Sequence, residues 1–195
     1  MRGDSVSAGV VGPNAILQTA EALRAEGGEA MARRVFAAAS LDHMLDTPPQ
    51  VMVDEGAALA LHRAVARDLP PDRAEAVARD GGRRTGLYIL SHRIPGKAQK
   101  VLRLLPPRFA GPILLRAIRH HAWTFAGSGV VTTATRAEMH LTIRANPLAT
   151  PGCPWHRAVL ETLFQGLVAP DISVAEDTCC ARGARACRFV IRRGG

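Results

Sequence analysis

The 195-residue sequence is poor in aromatic side chains, which make up only 4% of it. A core must therefore be built mostly from Ala, Leu, Val and Ile. Hydrophobic residues still reach 47% and charged residues 22%, a balance that excludes a disordered or low-complexity chain. Long apolar runs are missing too. The longest uncharged stretches, 5–20 and 120–135, are interrupted at Gly12-Pro13-Asn14 and Gly127-Ser128-Gly129. Both fall short of the roughly 20 apolar residues of a spanning helix. Asp4 and the Gly-Pro-Asn break also spoil the first as a signal peptide. A cytoplasmic chain is expected, in which four cysteines serve as thiols or metal ligands rather than disulfides.

Acidic residues are in deficit. Lys and Arg outnumber Asp and Glu by 25 to 17, a formal net charge of +8. From Gly81 to Ala137 there is no acid at all, while Arg83, Arg84, Arg93, Lys97, Lys100, Arg103, Arg108, Arg116, Arg119 and Arg136 contribute ten positive charges. The remainder, with 15 basic and 17 acidic residues, is −2. The surplus thus belongs to one segment, where it creates a positive field at a surface or pocket mouth. Lysine is nearly absent, confined to Lys97 and Lys100, and arginine favours fork-like contacts with carboxylates and phosphates. Nucleic acid is not the expected partner. No helix-turn-helix, zinc-finger or aromatic-studded sheet pattern is present, and Tyr88, Phe109, Trp123 and Phe125 sit in apolar helical stretches. A membrane surface fits better, because Lys97, Lys100 and Arg103 interleave with Val101, Leu102, Leu104 and Leu105 as a short basic amphipathic helix.

Periodicity predicts helices first and strands later. Ile16, Leu17, Ala20 and Leu23 repeat at helical spacing from Pro13-Asn14 to Gly27-Gly28, and further helices are expected near 29–39 and 54–67. A fourth, capped by Asp72, loosens around Gly81-Gly82 and resumes through Leu90; two more follow near 96–105 and 107–126. Residues 130–135 and 139–143 read as paired strands, 153–168 as a helix, and 172–179 with 187–192 as a closing hairpin around Gly183. The fold class is α+β. Residues 1–80 form a helical part of the same domain, and 81–193 its core.

Two constellations carry chemistry. Cys153, Cys179, Cys180 and Cys187 all fall in the last quarter of the chain. Tetrahedral zinc takes about four S, N or O ligands, often from a helix start and a hairpin. Adjacent strand residues point to opposite faces, so Cys179 and Cys180 should not both reach one ion. Glu176 or His156 could complete the set; the competing reading is four buried, inert thiols. On a helical wheel of 107–126, Ala110, Leu114, Ala117, Ile118, His121 and Phe125 share one face, opposite Arg116, Arg119 and Trp123. His121 is then either an internally satisfied core histidine or a metal ligand or proton donor in an apolar pocket with an Arg-lined mouth.

The stretch from Arg119 to Gly129 (Arg-His-His-Ala-Trp-Thr-Phe-Ala-Gly-Ser-Gly) and the tail Glu176-Asp177-Thr178-Cys179-Cys180-Ala181-Arg182-Gly183 with Cys187-Arg188-Phe189 resemble the 4-vinyl reductase domain family. Tyr88-Ile89-Leu90, Arg93-Ile94-Pro95 and Asn146-Pro147 resemble its bacteriochlorophyll-biosynthesis branch. The likeness runs from about Gly81 to Ile191. It implies a sensor-like domain, often dimeric, with helices around an antiparallel sheet and a ligand pocket. It also implies a structural zinc on Cys153, Glu176, Cys179 and Cys187, favouring Glu176 over His156. The family name implies reduction of the 8-vinyl group of a divinyl (proto)chlorophyllide. That chemistry needs a hydride or electron source; the sequence has no GxGxxG after a strand, no P-loop and no iron–sulfur cysteine pattern. The expectation is accordingly an accessory carrier of a Mg-tetrapyrrole, a Mg-porphyrin or protochlorophyllide-type ligand. It would serve pathway enzymes such as magnesium chelatase and the following methyltransferase, as a homodimer, cytoplasmic or peripheral at the photosynthetic membrane. His121, Phe125, Leu114 and Ile118 would pack on the macrocycle, His121 ligating its Mg, and Arg84, Arg93, Arg116 and Arg119 would meet its propionates. An 8-vinyl reductase is the alternative, and a small-molecule sensor domain the third reading.

Overall fold

Prolines and glycines set most of the helix boundaries in the computed structural model, which describes residues 9–136 and 138–194. Asp4, the beginning of the 5–20 run and Ala137 lie outside these residues. Helix α1 (Asn14–Ala38) is two helical segments joined at a kink, where Gly27 leaves helical geometry and Gly28 takes φ 74°. This matches the expected break at Gly27-Gly28. A short α2 (His43–Asp46) follows. Helix α3 (Glu55–Asp68) is capped by Asp54, whose carboxylate accepts the Ala57 amide at 3.1 Å. Proline opens α4 (Pro71–His92), α6 (Pro107–His120) and α8 (Pro154–Leu167), where its missing N–H costs no hydrogen bond. Helix α5 (Gly96–Leu104) lies between the first two of these.

Strands β3 (Val130–Ala134), β4 (Met139–Arg144), β5 (Ile172–Thr178) and β6 (Ala186–Arg193) form one antiparallel sheet in the order β3-β4-β6-β5. Both expected hairpins are present. A second, two-stranded sheet pairs β1 (Val10–Val11) with β2 (Val53–Asp54), strands too short to carry an alternating signature. Helix α8 is buried on nearly every side, from Pro154 to Leu167, because it is sandwiched between the sheet and α4. Helices α1 and α3 pack beyond α4. The buried core runs continuously from Val11 to Ile191, and α4 crosses residue 80 without interruption.

Two expectations need correction. Gly81-Gly82 do not loosen α4. Both are buried, and a Cβ on Gly82 would overlap the Trp155 carbonyl oxygen and stand 2.9 Å from the Ala158 Cβ. The glycines are there for close approach of α8. The helix expected to reach Ala126 ends instead at His120. His121 caps it at φ −103°, ψ 15°, and a separate turn, α7 (Trp123–Ala126), follows. The cause is distant in sequence: the Gly12 amide donates to the Thr124 carbonyl at 2.7 Å, drawing this segment toward the N-terminal strand.

Gly82→Ala is expected to lower unfolding stability by about 1–3 kcal/mol, the usual cost of overpacking, although helix propensity alone favours Ala by about 1 kcal/mol. Gly96→Ala, with nothing within 4 Å of the added Cβ, serves as the control and should be neutral or stabilising. Urea unfolding of both variants measures the difference.

Candidate ligand cavity and thiol cluster

A cavity of about 430 Å³ lies between α4, α6 and α8, within the range of roughly 300–1,000 Å³ typical of small-molecule sites. Its deep wall is apolar and buried: Leu114 and Ile118 from α6, Ile143 from β4, and Val159, Leu160 and Leu163 from α8. Its exposed lining residues are Arg93, Ala117, His121 and Trp123. Gly12, Pro13 and Asn14 contribute a further edge from the N-terminal strand. The interior therefore excludes water while the rim stays polar.

Of the ligand-contact residues expected from sequence, Leu114, Ile118, His121, Phe125 and Arg93 come together around this cavity. Arg84, Arg116 and Arg119 are not among its lining residues. Arg84 Nε and Arg83 Nη2 both pair with Asp80, each at 2.6 Å. That carboxylate stands one residue outside the acid-free segment, and the two arginines hold it below the ordinary carboxylate pKa against the opposing effect of burial. Arg116 and Arg119 are exposed on the surface of α6. His121 is exposed as well, not a core histidine, because the helix ends beneath it.

The buried histidine of the cavity is His156, which lies at i, i+3, i+4 and i+7 with Val159, Leu160 and Leu163 on α8. That spacing is visible in the sequence, where proximity to Cys153 points instead to a metal ligand. In the structure its Nε2–H donates to the Phe125 carbonyl at 3.2 Å, and its ring stacks on Phe189 at 5.7 Å between centroids. Trp155 separates it from a second buried histidine, His62, with centroids 5.1 and 5.5 Å away. The Trp155 indole N–H is buried without a partner, and its ring also lines a smaller cavity of about 280 Å³ with His62, Thr19 and Arg157.

The second constellation is a buried thiol cluster. Cys153 Sγ lies 3.5 Å from both Cys179 Sγ and Cys187 Sγ, and all three sulfurs fall within 4.8 Å of one another. A tetrahedron with Zn–S bonds of about 2.3 Å has S···S edges of about 3.8 Å, so the spacing suits one metal ion. Cys153 adopts a left-handed backbone at φ 43°, ψ 47° just before α8, a conformation costly for a non-glycine residue. Cys187 is the thiol most readily ionised, its pKa lowered by the hydrogen bond from the Cys153 thiol and also by the Cys180 amide 3.3 Å away. The hydrogen bond to Cys187, burial and the neighbouring sulfurs push Cys153 up. Glu176 lies outside this compact trio. One of its oxygens pairs with Arg182, while Oε2 is buried without a partner. Cys180 stays out of the cluster for a reason other than strand alternation: β5 has ended, and Cys180 begins a 3-10 turn.

The fold and site define a protein of the 4-vinyl reductase domain class, since residues 139–193 match the model of that domain. The chain is 42% identical over 185 residues to the bacteriochlorophyll synthase 23 kDa chain of Cereibacter sphaeroides, covering 92% of this chain and 88% of that one. It is 37% identical over 190 residues to the protein of the same name from Rhodobacter capsulatus, covering 95% and 88%. The chain belongs to this bacteriochlorophyll synthase 23 kDa chain family and serves the bacteriochlorophyll pathway. In fold it is similar to an H-NOX protein from S. oneidensis solved in the Fe(II)NO ligation state, with a TM-score of 0.54, 15% identity and coverage of 95% and 100%. A mutant of an H-NOX protein from that organism in the Fe(II) state gives 0.52, 14%, 95% and 97%. Among the described residues no helix is long and apolar enough to cross a membrane.

His62 and His156 generate a pH prediction. Burial lowers both pKa values to about 4 from the usual 6.5, against a raising effect from the carbonyls of Ala15 and Phe125. Between those pH values the unfolded chain binds more protons than the folded one, so stability falls as pH drops from 6.5 toward 4. Each histidine contributes a slope of up to about 1.4 kcal/mol per pH unit. Urea midpoints for the natural chain should decline from about pH 6.5 to about 5, and more shallowly for His62→Asn. Identical slopes would show that His62 is not buried neutral.

Proposed function

We propose that the cavity binds a Mg-tetrapyrrole intermediate and that the protein is an accessory carrier, holding or delivering this pigment to pathway enzymes such as magnesium chelatase. The observation that carries the reading is the cavity itself, an apolar interior with a polar rim in a chain of a bacteriochlorophyll family. A flat apolar macrocycle with carboxylate arms suits that gradient. The similar H-NOX fold, described with an Fe(II)NO state, adds support for a metal-centred ligand at this level of architecture. Arg93 is the guanidinium at the rim available for a carboxylate, standing over the Tyr88 ring at 5.8 Å. His121 is an exposed imidazole able to ligate Mg, and His156 is a buried neutral base already committed through Nε2.

The thiol cluster supports a structural zinc held by Cys153, Cys179 and Cys187, with Glu176 as the fourth ligand through its unpartnered oxygen. When bound, zinc would supply cross-linking between the start of α8 and the β5–β6 hairpin. Cys153 enters α8, whose next turn carries His156 into the cavity wall, so the cluster sets that wall's position.

Titration with Mg-protoporphyrin, read at the Soret band, tests the carrier reading. A saturable shift is expected, weakened roughly tenfold or more in Arg93→Ala, in line with loss of a charged hydrogen bond, and abolished in Ala117→Trp, which fills the rim. No shift in the natural chain overturns it, and unchanged affinity in His121→Ala removes His121 from the ligand set. NADPH-dependent loss of the divinyl spectrum would instead establish a reductase. For the metal, about one zinc per chain is expected, lost in Cys187→Ser; a metal-free natural chain of full stability overturns the structural site.

A further inference from the structure

We propose that the α5–α6 hairpin is a docking surface for an anionic lipid headgroup layer. Large apolar side chains are exposed at high density here: Val101 and Leu104 on α5 are 57% and 85% exposed, and Phe109 and Ile113 on α6 are 52% and 50% exposed. These four fall within thirteen consecutive residues of a chain that buries most of its other large apolar groups, and such concentrations mark interaction surfaces. Helical spacing keeps them away from the cavity. Phe109, Ile113 and Arg116 follow one face of α6, whereas Leu114 and Ile118, which line the cavity, follow the other.

The rim of this surface has one sign of charge. Residues 96–120 hold Lys97, Lys100, Arg103, Arg108, Arg116 and Arg119 and no acid, and among the described residues none of these six makes a salt bridge. Arg103 is committed structurally, donating to the Gly166 carbonyl at 3.0 Å and to Gln99 at 3.1 Å, which fastens α5 to the α8 end of the body. Arg108 lies over the Phe109 ring, 4.8 Å from its centroid. Lys97, Lys100 and Arg116 remain exposed.

The pattern favours lipid over an acidic protein for two reasons. The apolar residues protrude from helices and are interleaved with lysine at i+3 and i+4, as in interfacial helices that sink their apolar face by roughly 5–10 Å while cationic heads stay at the phosphates. Protein interface cores are instead depleted of lysine. In a chain with 25 basic residues, both lysines sit on this nine-residue helix.

Sedimentation of the pigment-free full chain with vesicles tests the proposal. Equal mixtures of phosphatidylcholine and phosphatidylglycerol should carry the protein down in a salt-sensitive manner, while pure phosphatidylcholine should not. Lys97→Gln with Lys100→Gln should weaken the partitioning roughly 30-fold, at about fivefold per basic residue near an anionic surface. Leu104→Ser with Phe109→Ser should abolish it at unchanged melting temperature. None of these positions lines the cavity, so their Soret titrations should match the natural chain, and failure of this proposal is separable from failure of the carrier reading. A chain that stays in the supernatant with both vesicles, binds both equally, or binds undiminished in the Leu104/Phe109 variant overturns it; the first outcome assigns the surface to an acidic protein.

Discussion

The burial of α8 between the sheet and α4 is the constraint on which the rest depends. A fourteen-residue helix covered on nearly all sides must be apolar almost throughout, and each polar group it carries must be answered internally. His156 is answered by the Phe125 carbonyl, and Glu161 by Arg79 at 2.7 Å and the Val174 amide at 3.3 Å. The same helix begins at the thiol cluster and forms the cavity's deep wall. Metal chemistry at one end and ligand chemistry along one face are thus coupled through a single rigid element, and α4 approaches it closely only because Gly82 and Gly86 have no side chains.

What is legible in the sequence follows from local signals. Proline at helix starts, Gly27-Gly28 at the kink, the two hairpins and the amphipathic α6 stripe all act within a few residues. The thiol trio is readable because three cysteines flank a helix start and a hairpin. The rest is decided by contacts distant in sequence. The Gly12–Thr124 hydrogen bond ends α6 early and turns His121 from a core position to the rim. Asp80, one residue before the acid-free segment, takes up Arg83 and Arg84, which counting charges along the chain leaves free. His156 is visible on the right helix face but competes with a metal-ligand reading that its neighbour Cys153 suggests.

The charge distribution separates two tasks. Asp80 neutralises one end of the basic segment next to the helix packing, and the α5–α6 hairpin keeps its own charge for solvent. A segment uniform in composition is therefore divided in space, with Arg93 beside the cavity, Arg84 in an ion pair and Lys97 and Lys100 on the outer hairpin. Net charge locates the segment, but only placement assigns its parts.

The Gly12–Thr124 hydrogen bond also has a kinetic meaning. It joins the cavity's rim across more than a hundred residues, and the floor comes from α8 still further along the chain. Contacts of such separation form late because loop closure must precede them. The helical N-terminal part can collapse early on local contacts, but no partial pocket exists until the C-terminal helix docks. The cavity is consequently a property of the finished chain, and any lesion that slows docking of α8 delays the appearance of the site before it affects the stability of the remaining helices.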